Sequence, residues 1–347
     1  MENSSRKERI SSFTGLKVIA ILLLFWHHGP LTVPAGDMGA RPVELLIIIS
    51  GFLTAYNYID SGIGGSIGDA YRFMARHLVK FWPLHICILL CYLVLSGVSG
   101  ELFTGTGIAR AFLNLFLLQA WSPYTSTSFA FNGSSWFLSA ILFCYFMAPF
   151  FLEFARKRKH CLLLFAILAL ARFLLEYACL KYKGEIFLIN FHTNPLVRSM
   201  EFFMAVLLYP LFEKTKEALS GKTALCTLLE LAAVAVACIT FRFPEEAVYS
   251  RFSGIMTSCL IVFAFAFNGG YLSRFMSVKP FELLNRIQLE FFMVEETVMH
   301  LVKLVYNGNV YIQAALMLAA TIAVSAAYHK LLAPPLTKLF RKIVPQT

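Results

Sequence analysis

The chain has 347 residues, of which 58% are hydrophobic and only 14% charged, against roughly 45–50% and about 25% in soluble domains. No water-soluble core calls for that much apolar surface, so a soluble enzyme is excluded. The formal charge of +10 does not point to a nucleic-acid binder either, because Lys and Arg are dispersed over the ends of apolar segments instead of lining one element; anionic headgroups and topology account for most of them.

Eleven apolar stretches follow in order, near 14–33, 42–59, 80–98, 106–121, 134–154, 161–179, 194–212, 223–241, 250–268, 282–305 and 310–333. Most have the roughly 17–25 residues that a helix needs to cross a ~30 Å hydrocarbon layer at about 1.5 Å per residue. The first follows Arg6, Lys7 and Arg9, but Trp26, His27 and His28 stand where a cleavage site would need small residues. It is therefore expected to stay as a span and not to be removed as a signal peptide. With no linker or long charge run to divide the chain, residues 1–347 read as a single membrane domain.

The eleven stretches cannot all cross. If they did, Arg156, Lys157, Arg158 and Lys159 would fall outside, against the bias of short cytoplasmic loops toward Lys and Arg. Letting the weakest stretch, 106–121, lie on or dip into the outer face resolves the conflict, with both flanks, Ser99 and Ser126, outside. The clusters Arg72–Arg76–Lys80, Arg156 to Lys159, Lys214–Lys216–Lys222, Arg274–Lys279–Arg286 and Lys338–Arg341–Lys342 then all face the cytoplasm. The expectation is an all-α polytopic bundle of about ten transmembrane helices with both termini cytoplasmic.

The eight cysteines, among them Cys87, Cys91, Cys144 and Cys238, lie mostly inside apolar segments without metal-ligand spacing. They read as buried thiols packing as small hydrophobes, and no metal is implied.

Several segments carry polar groups that a bilayer does not tolerate without cause. Gly15-Leu16-Lys17 leads into an apolar helix that ends in His28, ten residues beyond Lys17. Val43-Glu44-Leu45-Leu46 precedes Ser50-Gly51-Phe52-Leu53. Arg76-His77-Leu78-Val79-Lys80-Phe81-Trp82-Pro83-Leu84-His85 opens the third span, and Phe131-Asn132 precedes Ser135-Trp136-Phe137-Leu138-Ser139 with Tyr145 and Pro149 further on. Arg198 and Glu201-Phe202-Phe203 occupy a later span.

His28 sits about fifteen residues into its span, roughly 22 Å from the cytoplasmic end. An imidazole at that depth is either a packing residue or a general acid and base. Glu44, opening the next span on the outer side, either orients His28 or snorkels as an interfacial acid. Arg72, Arg76 and Lys80 are spaced i, i+4, i+8 on one helical face, which suits a phosphate cluster as well as a positive-inside anchor. Glu290, Glu295 and Glu296 share one apolar segment and call for a cavity or partner. By the direction of its span, Glu295 lies at a depth like that of His28. Arg198 and Glu201, one turn apart, read as a structural ion pair.

Taken in order, these segments resemble the acyltransferase-3 family of bacterial membrane O-acyltransferases over essentially the whole chain. The resemblance implies transfer of an acyl group, most often acetyl, from cytoplasmic acyl-CoA to a hydroxyl of an extracytoplasmic or lipid-linked glycan. It implies catalysis at His28, as base or transient acyl carrier, with Glu44 in support. CoA phosphates would lie on Arg72, Arg76 and Lys80, within an R-x-x-x-R segment, and Lys17, Trp136, Ser139 and Glu295 would take supporting or substrate-binding parts. The implied location is a bacterial inner or plasma membrane. Three positions depart from the family pattern. Ala140 and Ile141 stand where an acid is common, Glu295 stands in a segment that often carries His, and Ala333-Pro334-Pro335 lacks a usual acid. A transporter or sensor that binds a solute between helices is the competing class, separated by its lack of need for acyl-CoA.

Overall fold

The computed structural model describes residues 7–31, 39–98, 100–182, 190–243 and 248–343, so Arg6 and Ser99 lie outside the described residues. No strand occurs among them. The helices are α1 (Ser12–His28), α2 (Ala40–Tyr58), α3 (Ile67–Val98), α4 (Gly105–Leu115), α5 (Thr125–Ser128), α6 (Trp136–Arg156), α7 (Cys161–Lys181), α8 (Pro195–Leu219), α9 (Thr223–Thr240), α10 (Val248–Ala266), α11 (Tyr271–Phe275), α12 (Lys279–Arg286), α13 (Gln288–Val305), α14 (Val310–Ala327) and α15 (Ala333–Ile343). A π-helical turn, Tyr328–Leu332, joins the last two.

Among the described residues seven helices are long and apolar enough to cross a membrane, against the ten expected: α3, α6, α7, α8, α9, α10 and the α14–α15 rod. The other three expected spans are α1, α2 and α13. At 17 residues α1 is short; α2 carries Arg41 and Glu44; α13 carries Glu290, Glu295, Glu296 and Lys303. These three fall short by length or by charge, although apolar helices such as α7 and α8 also bury ionisable groups.

Contacts sort the helix ends into two sets. At one end, Lys7 bonds Asp60 at 2.8 Å, Arg156 Nε donates to the Ile59 carbonyl at 2.6 Å, and Arg158 pairs with Glu213 at 2.6 Å. Ser12 Oγ bonds the Phe265 carbonyl there at 2.7 Å. At the other end, Arg41 Nη2 donates to the carbonyls of Thr240 and Ser250 at 2.9 and 3.1 Å, and Arg251 meets Glu176 at 3.2 Å. Consecutive long helices therefore run up and down, and the basic clusters around residues 156–158 and 7–9 share one end.

At the centre α2 packs on α8. A Cβ on Gly51 would run into the Phe202 carbonyl, so only glycine lets these backbones approach so closely. Phe13, Phe52, Tyr209 and Phe212 interlock by edge and tilted contacts at 5.5–6.1 Å between centroids.

The stretch 106–121 holds the 11-residue α4, about 16 Å long and too short to cross, and a three-residue 3-10 turn, Gln119–Trp121. It runs back from the end of α3 toward its middle. His85 Nε2 lies 2.8 Å from the Asn114 carbonyl, and Trp82 Nε1 donates to the Leu115 carbonyl at 3.3 Å. The chain then reverses through buried Leu117, held at φ 55° in the left-handed region that a branched side chain seldom enters. None of the eight cysteines forms a disulfide; four are buried, whereas Cys91 and Cys238 are exposed on the helix surface instead of packing inward.

Candidate active site

His28 is the last residue of α1, delivered by a helix whose other face is buried against the core. Its Nδ1 lies 2.9 Å from Glu295 Oε1, and its Nε2 lies 3.8 Å from Glu296 Oε1. Both acids come from α13, and Glu295 is fully buried. Its second oxygen, Oε2, has no hydrogen-bond partner among the described residues. A carboxylate that holds Nδ1–H leaves Nε2 as the imidazole's free base, directed away from Glu295.

Glu296 is held by the Ser134 amide at 3.1 Å, and Gly133 exists for it: a Cβ there would overlap the carboxylate. Asn132 Nδ2 ties the same loop to the Met293 carbonyl at 2.9 Å. Phe131, in this loop, is also held at positive φ, 63°, a strain that recurs beside functional cavities.

Two cavities meet at His28. A wide one of about 820 Å³ is walled by α3, α4, α13 and the loop before α6, and includes Tyr92, Arg110, Gly133 and Glu296. A smaller one of about 270 Å³ continues past Trp136, His192 and Arg251. Trp136 is buried, with the His192 ring 4.8 Å and the Arg198 guanidinium 5.6 Å from its own. Burial, then the charges of Arg198 and Arg251, holds the His192 imidazole well below its ordinary range, so it serves as a neutral acceptor for Arg198 Nη2 at 3.4 Å. Ser139 lies one turn further along α6, its hydroxyl buried and without a partner among the described residues.

The expected pairing of His28 with Glu44 is corrected. Glu44 is buried on α2 and points at Gly254 of α10, where a Cβ would meet both Glu44 Oε2 at 2.6 Å and Arg41 Nη1 at 2.7 Å. The carboxylate on the imidazole is Glu295 instead, because α13, not α2, packs its acidic face against the end of α1. His27, its ring 5.3 Å from that of His28, lines the smaller cavity and not the wide one, and a Cβ on Gly39 would lie 2.7 Å from its Nε2.

The cationic stripe on α3 is divided. Arg72 pairs with Asp69 at 2.7 Å, while Arg76 and Lys80 are exposed and form no ion pair among the described residues. Lys80 lies within electrostatic reach of Lys17 on α1 and Arg341 on α15, and Lys17 also feels Arg9. Helix α15 reaches α3 through Phe340, edge-on to Trp82 at 5.2 Å. Lys17 and Arg9 also line a cavity of about 550 Å³ at the basic end.

Sequence reasoning did not assign three features. Glu296 was visible only as one of several acids. A second imidazole–carboxylate pair, His329 Nδ1 to Glu290 Oε1 at 2.7 Å, depends on the π-helical turn. The third is a buried network in which Arg198 bonds Glu201 at 2.8 and 2.9 Å, Arg172 bonds Glu176 and lies 3.7 Å from Glu201, and Arg251 joins Glu176. The expected Arg198–Glu201 ion pair is its centre. Among the described residues no group of three or more His, Cys, Asp or Glu is placed to hold a metal ion.

The family model described as an acyltransferase domain matches residues 10–330. Acyltransferase MdmB of Streptomyces mycarofaciens is 25% identical over 166 residues, covering 44% of this chain and 41% of that protein. The match thus spans less than half the length of that relative. No solved structure matches the chain. With His28 set between two carboxylates where two cavities meet, and a family match that runs through nearly all the helices, the chain belongs to the acyltransferase-3 family of membrane acyltransferases.

Proposed function

We propose that the chain transfers an acyl group, most often acetyl, from cytoplasmic acyl-CoA to a hydroxyl of an extracytoplasmic or lipid-linked glycan. In this reading α1, α2 and α13 join the seven apolar helices to make ten spans. Both termini are cytoplasmic, and the location is a bacterial inner or plasma membrane. One observation carries the proposal: His28 is exposed on one edge to a cavity of about 820 Å³ and backed on the other by buried Glu295.

The roles follow from that geometry. His28 Nε2 takes the proton of the acceptor hydroxyl as its oxygen bonds to the thioester carbonyl carbon. The C–S bond then breaks, and His28 returns the proton to the departing thiolate, giving an ester and free CoA thiol. Glu295 fixes the Nδ1–H tautomer and balances the imidazolium that forms between the two transfers. A carbonyl at that point lies across the bundle from Arg9, Lys17, Arg76, Lys80 and Arg341, which would hold the donor's phosphates while the pantetheine arm reaches inward. Trp136 walls the smaller cavity, and Ser139 supplies a free hydroxyl below it.

The test is release of CoA thiol from acetyl-CoA by the purified protein in vesicles, with and without an envelope glycan extract. Extract-dependent release, with acetyl ester appearing on the glycan by mass spectrometry, is the expected result. A protein that leaves acetyl-CoA intact in the presence of extract, or acylates an amine instead, refutes the proposal.

A further inference from the structure

Between Lys80 and Arg156 the sequence contains one Lys or Arg, Arg110, and between Arg286 and Lys330 it contains one, Lys303. Arg110 stands on the re-entrant α4 and Lys303 near the end of α13, yet both line the wide cavity that holds His28. Topology does not account for them, because the positive-inside bias depletes Lys and Arg from short segments at the outer end. Neither takes part in an ion pair among the described residues. Arg110 gives one hydrogen bond, to Ser126 Oγ at 3.1 Å, which leaves its guanidinium fork open toward the cavity.

The other charge on the wall, Glu296, is held against the Ser134 amide and His28, so it does not neutralise the cations. Glu296, His300 and Lys303 follow one another at i, i+4, i+7 along one face of α13. Lys303 therefore stands about 10 Å outward of Glu296 along the helix axis. A hydroxyl at His28 and an anion at Lys303 would belong to one molecule spanning roughly that distance.

We propose that the acceptor is anionic: a hydroxyl-bearing molecule, of the size of a few sugar units, whose phosphate or carboxylate is held by Arg110 and Lys303 while its hydroxyl meets His28. This rests on the acyltransferase reading above and narrows its acceptor class. Lys contributes a point charge and Arg a planar fork, so together they bind a tetrahedral or a planar oxyanion. The neutral surroundings of Thr104, Ser126 and Tyr92 add hydroxyls for the sugar ring.

The experiment is calorimetric binding of three matched probes to the purified full chain in vesicles: maltose, maltobionate and maltose 1-phosphate. At least one anionic probe is expected to bind about tenfold to a hundredfold tighter than maltose, and the tighter of the two identifies the anion. The double variant Arg110→Gln, Lys303→Gln loses that advantage. The swap Arg110→Lys, Lys303→Arg keeps both charges and part of the advantage, and acetyl-CoA binding in each preparation reports folding. Equal affinity for maltose and both anions, a preference that survives the double Gln variant, or no binding of either anion overturns the proposal. A chain that prefers the anions yet never releases CoA thiol from acetyl-CoA keeps this inference and refutes the transfer reading.

Discussion

Two clusters of charge are buried at the same end of the bundle, and they are built in opposite ways. In the α7–α8–α10 cluster, Arg172, Glu176, Arg198, Glu201 and Arg251 are tied into one network, with Arg198 closing on both oxygens of Glu201. In the α1–α13 cluster, two acids face one imidazole, one buried carboxylate oxygen has no partner among the described residues, and two cavities open onto the group. The closed α7–α8–α10 network sets three Arg against two Glu, and among the described residues Arg251 is the one member that also lines a cavity at His28, the other four being committed to one another. An open one leaves a proton acceptor where a reactant fits. Burial alone does not distinguish structural from chemical charge in this bundle; the free valence and the cavity do.

The comparison breaks first at His28. His28→Ala should lower acyl transfer by about 10²–10⁴-fold while the protein still inserts and binds acetyl-CoA, as loss of general acid–base help predicts. His27→Ala, whose ring packs on Gly39, should keep most activity; a dead His27→Ala with a live His28→Ala would assign the chemistry to the wrong face of α1. Removing one partner from the closed network should act on stability instead. Glu201→Gln leaves Arg198 and Arg172 short of a counter-charge and should cost about 3–5 kcal/mol, read as a loss of monodisperse protein on heating in detergent.

The cations at the basic end sharpen the same contrast. Arg76 has no ion pair among the described residues, whereas Arg72 is held by Asp69, so the two should behave differently although they share a helical face. Arg76→Ala should raise the donor dissociation constant by roughly tenfold to a hundredfold, and Arg76→Lys by less, because Lys keeps the charge and loses the fork. Arg72→Ala should change it least; equal effects at the two positions would restore the undivided stripe. Finally, a cysteine at Ser126 should be labelled from outside intact cells, and labelling only after permeabilisation would reverse the topology.

Much of this was legible in the sequence. The lengths of the apolar runs and the clustering of Lys and Arg placed the long helices and singled out 106–121, since both signals are local. Glu295 was placed at the depth of His28 from the direction of its span alone, and the two are in contact at 2.9 Å. Glu44 was assigned by a hairpin argument that fixed its depth but not its azimuth; packing of α2 on α8 and α10 turned it toward Gly254. The joint cavity of Arg110 and Lys303 was not visible, because it depends on α4 folding back along α3. The reversal at Leu117 adopts a backbone that branched residues avoid, so no propensity announces it.

Turnover per folded molecule of Glu295→Gln against Glu201→Gln, in the same vesicles with the same acceptor extract, tests the contrast most directly. Glu295→Gln should be obtained in normal yield, bind acetyl-CoA and turn over about a hundredfold more slowly, because the imidazolium loses its counter-charge. Glu201→Gln should be scarce, yet its folded fraction should turn over near the wild-type rate. Wild-type turnover by Glu295→Gln, or a well-folded and inactive Glu201→Gln, would contradict the assignment of chemistry to the open cluster and of structure to the closed one.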